Sequence, residues 1–304
     1  VAGGGAVTAP LGRLAPLLLA LLALAPAARS RAAEEDPTPR RRTALVDGWR
    51  YAPGPLAGAH LPGFDDRSWQ RVALPHTWNA GAELAEGADY RRGVGWYRRR
   101  LDLDPALAGR RLFLHFEGAN QTAEVWMNGR RAGRHLGGYT AFTFDVSELV
   151  RFDGPNLLAV EVDNRHDDDI PPLEADFTFY GGIYRDVWLI ATDPLHVDLL
   201  DHGSPGVFVD TPEVSAERAT VRVRGTLVNA SGRRRRAEVV SRVLDPAGDA
   251  VAVLRSAVAL PASGSAAFAQ ASGPLRRPRL WSPAEPNLYT VVTEVREGRR
   301  LADR

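Results

Sequence analysis

The segment DNRHDDDIPPLEAD at residues 163–176 concentrates the side chains of this sequence that are best suited to chemistry. Its carboxylates and His166 could ligate a hard cation through oxygen, or accept hydrogen bonds from sugar hydroxyls. Asp167, Asp168 and Asp169 read as a solvated loop stiffened by Pro171 and Pro172, because runs of like charge are mostly solvated. Asp176 differs. It follows Glu174 and Ala175 and precedes Phe177 and an aromatic, glycine-rich turn, and a carboxylate among apolar neighbours calls for partners or a ligand. Other chemistries lack their signatures: there is no G-x-S-x-G elbow, no phosphate-binding G-x-x-x-x-G-K and no H-E-x-x-H. The doubled glycines at 137–138 and 181–182 lie among strand-like runs and read as turns or bulges. Arg233 to Arg236 follow a turn without interleaved aromatics, which suits a solvated hairpin shoulder better than a nucleic-acid surface.

The elements that must position these residues are strands. From Leu45 onward, short apolar runs of period two alternate with Gly, Pro, Asn and Asp clusters. In RRLFLHFEG (110–118), Leu112, Leu114 and Phe116 point one way while Phe113, His115 and Glu117 point the other. Asn128-Gly129 sits between two strands and accepts the positive φ that a tight hairpin demands. Strands at GWYRRRLDL, TAFTFDV, NLLAVEVD and YRDVWLIA complete an antiparallel sandwich over 45–193. After Asp193-Pro194, ATVRVRGTLVN, AEVVSRVLD, SAAFAQA and NLYTVVTEV predict an immunoglobulin-like sandwich over 194–304. Six of the seven tryptophans precede Pro194, and large rings of this kind are expected mainly in the core.

Composition narrows the classes further. The 304 residues carry 38 basic and 37 acidic side chains, every basic one an arginine, so no charge excess recruits nucleic acid. With no cysteine there is no disulfide framework, thiolate metal site or cysteine nucleophile. The apolar run at 14–25, preceded by Arg13, is shorter than the roughly 20 residues of a spanning helix and reads as the centre of a signal peptide occupying 1–33. Residues 34–44, rich in proline and charge, read as a linker. Export to the periplasm or beyond the cell is expected, with no stable membrane anchor.

Six blocks then carry a family resemblance: LPHTWN (74–79), GVGWYRR (93–99), FEGANQTAEVWMNG (116–129), HLGGYTAFTFDVSEL (135–149), DIPPLEADFTFYGGIYRDVWL (169–189) and LWSPAEPNLYTV (280–291). In this order the sequence resembles glycoside hydrolase family 2, which includes β-galactosidases, β-glucuronidases and β-mannosidases. The resemblance implies an all-β chain, a jelly-roll sugar-binding domain followed by an immunoglobulin-like one. It also implies that the acid/base and nucleophile glutamates belong to a (β/α)8 barrel outside these residues. Glu83, Glu86, Glu117, Glu161 and Glu174 are therefore expected to be structural or solvated, and no catalytic residue is assigned. By the same resemblance, an aspartate before the S/G-G-I-[FYH]-R motif reaches the terminal sugar. Here that position is Asp176, and the loop Tyr90 to Gly93 offers Tyr90 as a second substrate-binding candidate. In galactosidases of the family the aspartate also supports a monovalent cation; no cofactor or metal is assigned to this chain.

The expected whole is the non-catalytic front part of an exported retaining β-glycosidase, closest to the β-galactosidase branch. Its partners would be a β-glycoside or oligosaccharide and its own barrel, and the lack of a Met at position 1 points the same way. A stand-alone carbohydrate-binding module is the competing reading, separated from the first by whether the gene continues into a barrel.

Overall fold

The computed structural model describes residues 39–80 and 90–304. The expected signal peptide, residues 34–38 of the linker, and Glu83 and Glu86 lie outside the described residues. Ten strands build the first sandwich: β1 (Arg41–Ala44), β2 (Trp49–Pro53), β3 (Gln70–Val72), β4 (Val94–Leu101), β5 (Arg111–Phe116), β6 (Thr122–Met127), β7 (Arg130–Leu136), β8 (Phe142–Asp145), β9 (Asn156–Asp163) and β10 (Val187–Thr192). They form a four-stranded sheet, β1-β10-β5-β8, facing a six-stranded one, β3-β2-β4-β9-β6-β7, with antiparallel pairing throughout.

Alternation sets which side chains enter the space between these sheets. Leu112, Leu114 and Phe116 of β5 meet Val125 and Met127 of β6 and Val160 and Val162 of β9 in one fully buried cluster. The opposite face of β5 is covered too: Phe113 packs with Ile190 of β10 and with Leu199 of the second sandwich. The β6–β7 hairpin turns on Asn128 (φ 55°) and Gly129 (φ 80°), as the Asn-Gly dipeptide requires. Trp49, Trp69, Trp78 and Trp96 are buried, whereas Trp281, in the second sandwich, is 60% exposed.

The linker reading fails at its end. Arg41–Ala44 is an edge strand, in register with Trp188–Ala191, although all four residues are exposed. Its stability comes from the β10 ladder, so its own sequence shows no apolar alternation.

Nine strands make the second sandwich: β11 (Leu195–Val197), β12 (Val207–Val214), β13 (Arg218–Asn229), β14 (Arg235–Leu244), β15 (Ala250–Leu260), β16 (Gly264–Ala271), β17 (Leu275–Arg276), β18 (Thr290–Glu297) and β19 (Arg300–Asp303). One sheet is organised on β13, which pairs with β11, β12, β16 and β17; the other runs β15-β14-β18-β19. Val221, Val223, Leu227, Val239, Val243, Phe268 and Val295 fill the space between them. Ion pairs join the two sandwiches. Buried Asp303 accepts from Arg40 Nε and Nη2 (2.9 and 2.6 Å) and from Val197 N–H (2.8 Å). Asp193, at the junction, pairs with Arg300 and Arg235. Arg235 is thus engaged, while Arg233, Arg234 and Arg236 are exposed.

Candidate functional site

The site is assembled around Gly181-Gly182, just before β10. His76 N–H donates to Ile183 O (2.8 Å), and Gly181 O accepts from Trp78 N–H (3.2 Å) and Thr77 Oγ1 (2.8 Å). Gly181 N–H donates to Asn79 Oδ1 (2.7 Å), and Asn79 Nδ2 and Trp78 Nε1 both donate to Arg91 O (2.9 and 3.3 Å). Three stretches distant in sequence are thereby tied into one knot. Only glycine fits at its centre: a Cβ on Gly181 would lie 2.1 Å from Trp78 Cζ2, and one on Gly95 would lie 2.5 Å from Trp78 Cζ3. Trp78 fills the slot between these two backbones and stacks on Tyr51 at 5.8 Å. Beneath it, His76 Nδ1 and Tyr97 Oη are 2.8 Å apart. Burial lowers the His76 pKa and lifts that of Tyr97 well above the ordinary phenol value, so both stay neutral near pH 7.

This knot suspends the run Asp176 to Tyr180 by its carbonyls. Asn164 Nδ2 donates to Phe179 O (3.0 Å) and Asn120 Nδ2 to Tyr180 O (2.8 Å), while Asn164 Oδ1 accepts from Gly93 N–H (2.8 Å). With the backbone so held, Phe177 (52%) and Tyr180 (40%) turn to solvent. Asp176 is exposed and has no hydrogen-bond or ion-pair partner among the described residues. Its carboxylate faces solvent rather than apolar neighbours, and of the partners or ligand expected for it, no protein partner is found among the described residues.

Tyr90 joins the same face through Arg92, which donates from Nη2 and Nε to Tyr90 Oη (2.6 and 3.1 Å). The Arg92 guanidinium lies 4.7 Å above the Phe179 ring, and Phe179 contacts Phe177, the neighbour of Asp176, at 5.3 Å. Tyr139 stands beside this group: burial raises its hydroxyl pKa, with Tyr90 adding to the effect and Arg92 opposing it. The two residues singled out from the sequence are thus linked by Arg92 and Phe179, which sequence reasoning missed. A free carboxylate, exposed ring faces and a fixed guanidinium form a rim suited to hydroxyl groups and pyranose faces. Among the described residues no three metal-ligating side chains converge, so Asp176 alone does not complete a cation's ligand set.

The remaining sequence candidates are accounted for locally. Asp167 to Asp169 are exposed, as a solvated loop requires. Glu117 accepts from Trp188 Nε1 (2.8 Å) and Glu174 is exposed. Glu117 N–H also donates to the Asp186 carbonyl (3.0 Å).

Comparison with known proteins agrees with this architecture. Residues 64–193 match the sugar binding domain of glycosyl hydrolases family 2, and residues 206–304 match a further domain of glycosyl hydrolases family 2. A β-glucuronidase of Bacteroides fragilis is 39% identical over 234 residues, 76% of this chain and 33% of its own length. A β-galactosidase of Bacteroides ovatus is 34% identical over 276 residues, 88% of this chain and 31% of its own. The crystal structure of a Bacteroides uniformis β-glucuronidase superposes with a TM-score of 0.83 at 39% identity, covering 87% of this chain and 31% of that one. The chain spans about a third of the length of the curated relatives it matches.

Proposed function

Since this chain belongs to glycoside hydrolase family 2, as its sugar-binding and immunoglobulin-like domains, we propose that it is the non-catalytic part of an exported retaining β-glycosidase. In this reading the chain supplies one wall of the substrate site, and the catalytic carboxyl pair comes from a barrel outside these 304 residues. The terminal sugar meets Asp176, whose ionised carboxylate accepts from its hydroxyls, and the Tyr90–Arg92 pair borders it. Hydrolysis with retention needs two carboxyls about 5 Å apart across the glycosidic bond. The observation that carries the proposal is the Gly181 knot, which spends eight hydrogen bonds and two glycine close contacts on presenting Asp176 and the aromatic rim without enclosing them. Relatives of both β-glucuronidase and β-galactosidase type match, which supports a β-glycoside substrate and leaves the sugar to barrel loops.

In the full-length enzyme, Asp176→Ala is expected to lower kcat/KM by about 10- to 150-fold, as for loss of a charged hydrogen bond to substrate, with the melting temperature unchanged. Unaltered catalytic efficiency on chromogenic β-glycosides removes Asp176 from the site. The 304-residue chain by itself is expected to give no turnover, and turnover by the purified chain overturns the division of labour.

A further inference from the structure

A trough of about 520 Å³ opens between the Leu136 to Thr140 turn and the loop Asp167 to Pro171; it shares Tyr139 with the rim, and neither Tyr90, Arg92 nor Asp176 lines it. Both walls are fixed to one residue. Gln121 O accepts from Gly137 N–H (3.0 Å) on one side, and Gln121 Nε2 donates to Ile170 O (3.5 Å) on the other. Gln121 is itself buried, so one residue lies between the two walls and contacts both. The floor beside Tyr139 carries no side chain. Gly138 lies so close to Asn120 that a Cβ would sit 2.3 Å from Asn120 Oδ1, and Tyr184 Oη donates to the Gly138 carbonyl (2.5 Å).

The lining mixes three chemistries. The Tyr139 ring is 47% exposed, and the Arg134 guanidinium, whose charge also acts on Glu161, offers donors. Asp167 and Asp169 offer acceptors, Asp167 Oδ1 being already engaged by Asp169 N–H (3.0 Å). A second, polar cavity of about 380 Å³ shares Arg134 and Asp167 and prolongs the trough across the outer face of β6 and β9. Interleaved donors and acceptors beside an aromatic face match a vicinal diol on a pyranose, in which each hydroxyl both donates and accepts. Asp167 and Asp169, both on the loop wall, disfavour an acidic ligand.

We propose that this trough is a second carbohydrate subsite, which takes the units of a neutral β-linked oligosaccharide beyond the terminal sugar. Tyr139 stacks on one ring, and Arg134 with Asp169 brackets its hydroxyls. The direction of the chain rests on Asp176 facing the terminal sugar; the binding itself does not. The 304-residue chain is titrated by saturation-transfer NMR with β-1,4-galactotetraose, cellotetraose, the corresponding monosaccharides and an oligogalacturonate. At least one neutral tetraose is expected to bind about tenfold tighter than its monosaccharide, in the millimolar range, with transfer strongest at an internal unit. Tyr139→Ala and Asp169→Asn, both at exposed positions, should each weaken it several-fold, while Asp176→Ala leaves it unchanged. Binding of the oligogalacturonate alone, no preference for tetraose over monosaccharide, or tetraose binding indifferent to Tyr139→Ala overturns the subsite. Loss on Asp176→Ala with no loss on Tyr139→Ala places the oligosaccharide on the Asp176 rim, and likewise overturns it.

Discussion

Gly181→Ala probes the knot that presents the rim. The added Cβ would stand 2.1 Å from Trp78 Cζ2 and 2.2 Å from Cε2, about 1.5 Å inside the ~3.5–4.0 Å at which carbon atoms meet without repulsion. The indole cannot retreat, because its far edge already rests against the Gly95 backbone and its face against Tyr51. The alternative is for the Gly181 backbone to move and strain three hydrogen bonds, with Trp78 N–H, Thr77 Oγ1 and Asn79 Oδ1. Each is worth about 1 kcal/mol net, and overpacking a rigid site costs about 1–3 kcal/mol. A loss of about 3 kcal/mol is therefore expected, read as a shift of the urea midpoint by tryptophan fluorescence at unchanged slope. Trp78→Leu removes the clashing edge, so a double-mutant cycle should recover a coupling of about 1–3 kcal/mol. A loss below about 1 kcal/mol, or no coupling, refutes the view that Trp78 is wedged between the two glycine backbones.

Two other perturbations test the frame around the rim. Asp303→Ala strands the Arg40 guanidinium and the Val197 N–H at the junction of the sandwiches; the expected cost is about 3–5 kcal/mol, with faster proteolysis near Pro194, and a cost under about 1 kcal/mol denies that the pair holds the junction. His196 is 2% exposed and packs edge-on against Phe113, and burial lowers its pKa below 6.5. The unfolded chain takes up that proton near pH 6.5 whereas the folded chain does not, so stability is full above 6.5 and falls as the pH drops from there toward the lowered folded value. His196→Gln should flatten the melting temperature across this window, and an unchanged slope assigns the acid sensitivity elsewhere.

Strands with one buried face were legible in the sequence because their alternation is written locally. Val221 and Val223 against Arg222 and Arg224 is such a case: the valines are buried and the arginines point outward. Elements whose stability is borrowed were not. Arg41–Ala44 has no apolar face, and Ala250–Leu260, which pairs along the whole of β14, is so rich in alanine that its pattern carries little contrast. The site divides in the same way. Asp176 was reached through a motif, and Tyr90 only through the loop that the family resemblance places near the site. Arg92, Phe179 and Tyr139 become recognisable only once the Gly181 knot brings three segments together, since nothing in R-R-G or G-G-Y specifies a partner.

One arrangement in the chain imitates glycosidase chemistry. Glu124 and Glu161 lie directly opposite each other on β6 and β9, and burial raises the Glu161 pKa, with the Glu124 and Asp163 charges adding to it. A protonated carboxyl beside an ionised one is the pairing that retaining hydrolysis uses. The register argues against that role. Val125 and Val160, the next residues along each strand, point into the core, so both glutamates project from the same outer face of one sheet. Acid and nucleophile must flank a glycosidic bond, and two parallel side chains on an open sheet cannot reach opposite sides of an anomeric carbon. Glu124 is moreover neutralised by its ion pair with Arg131. A raised carboxyl pKa here reports like charges crowded on a half-buried face, next to the trough proposed to bind sugar. In the proposed division of labour, the chemistry left to this chain is that of holding a glycoside in place while other groups cleave it.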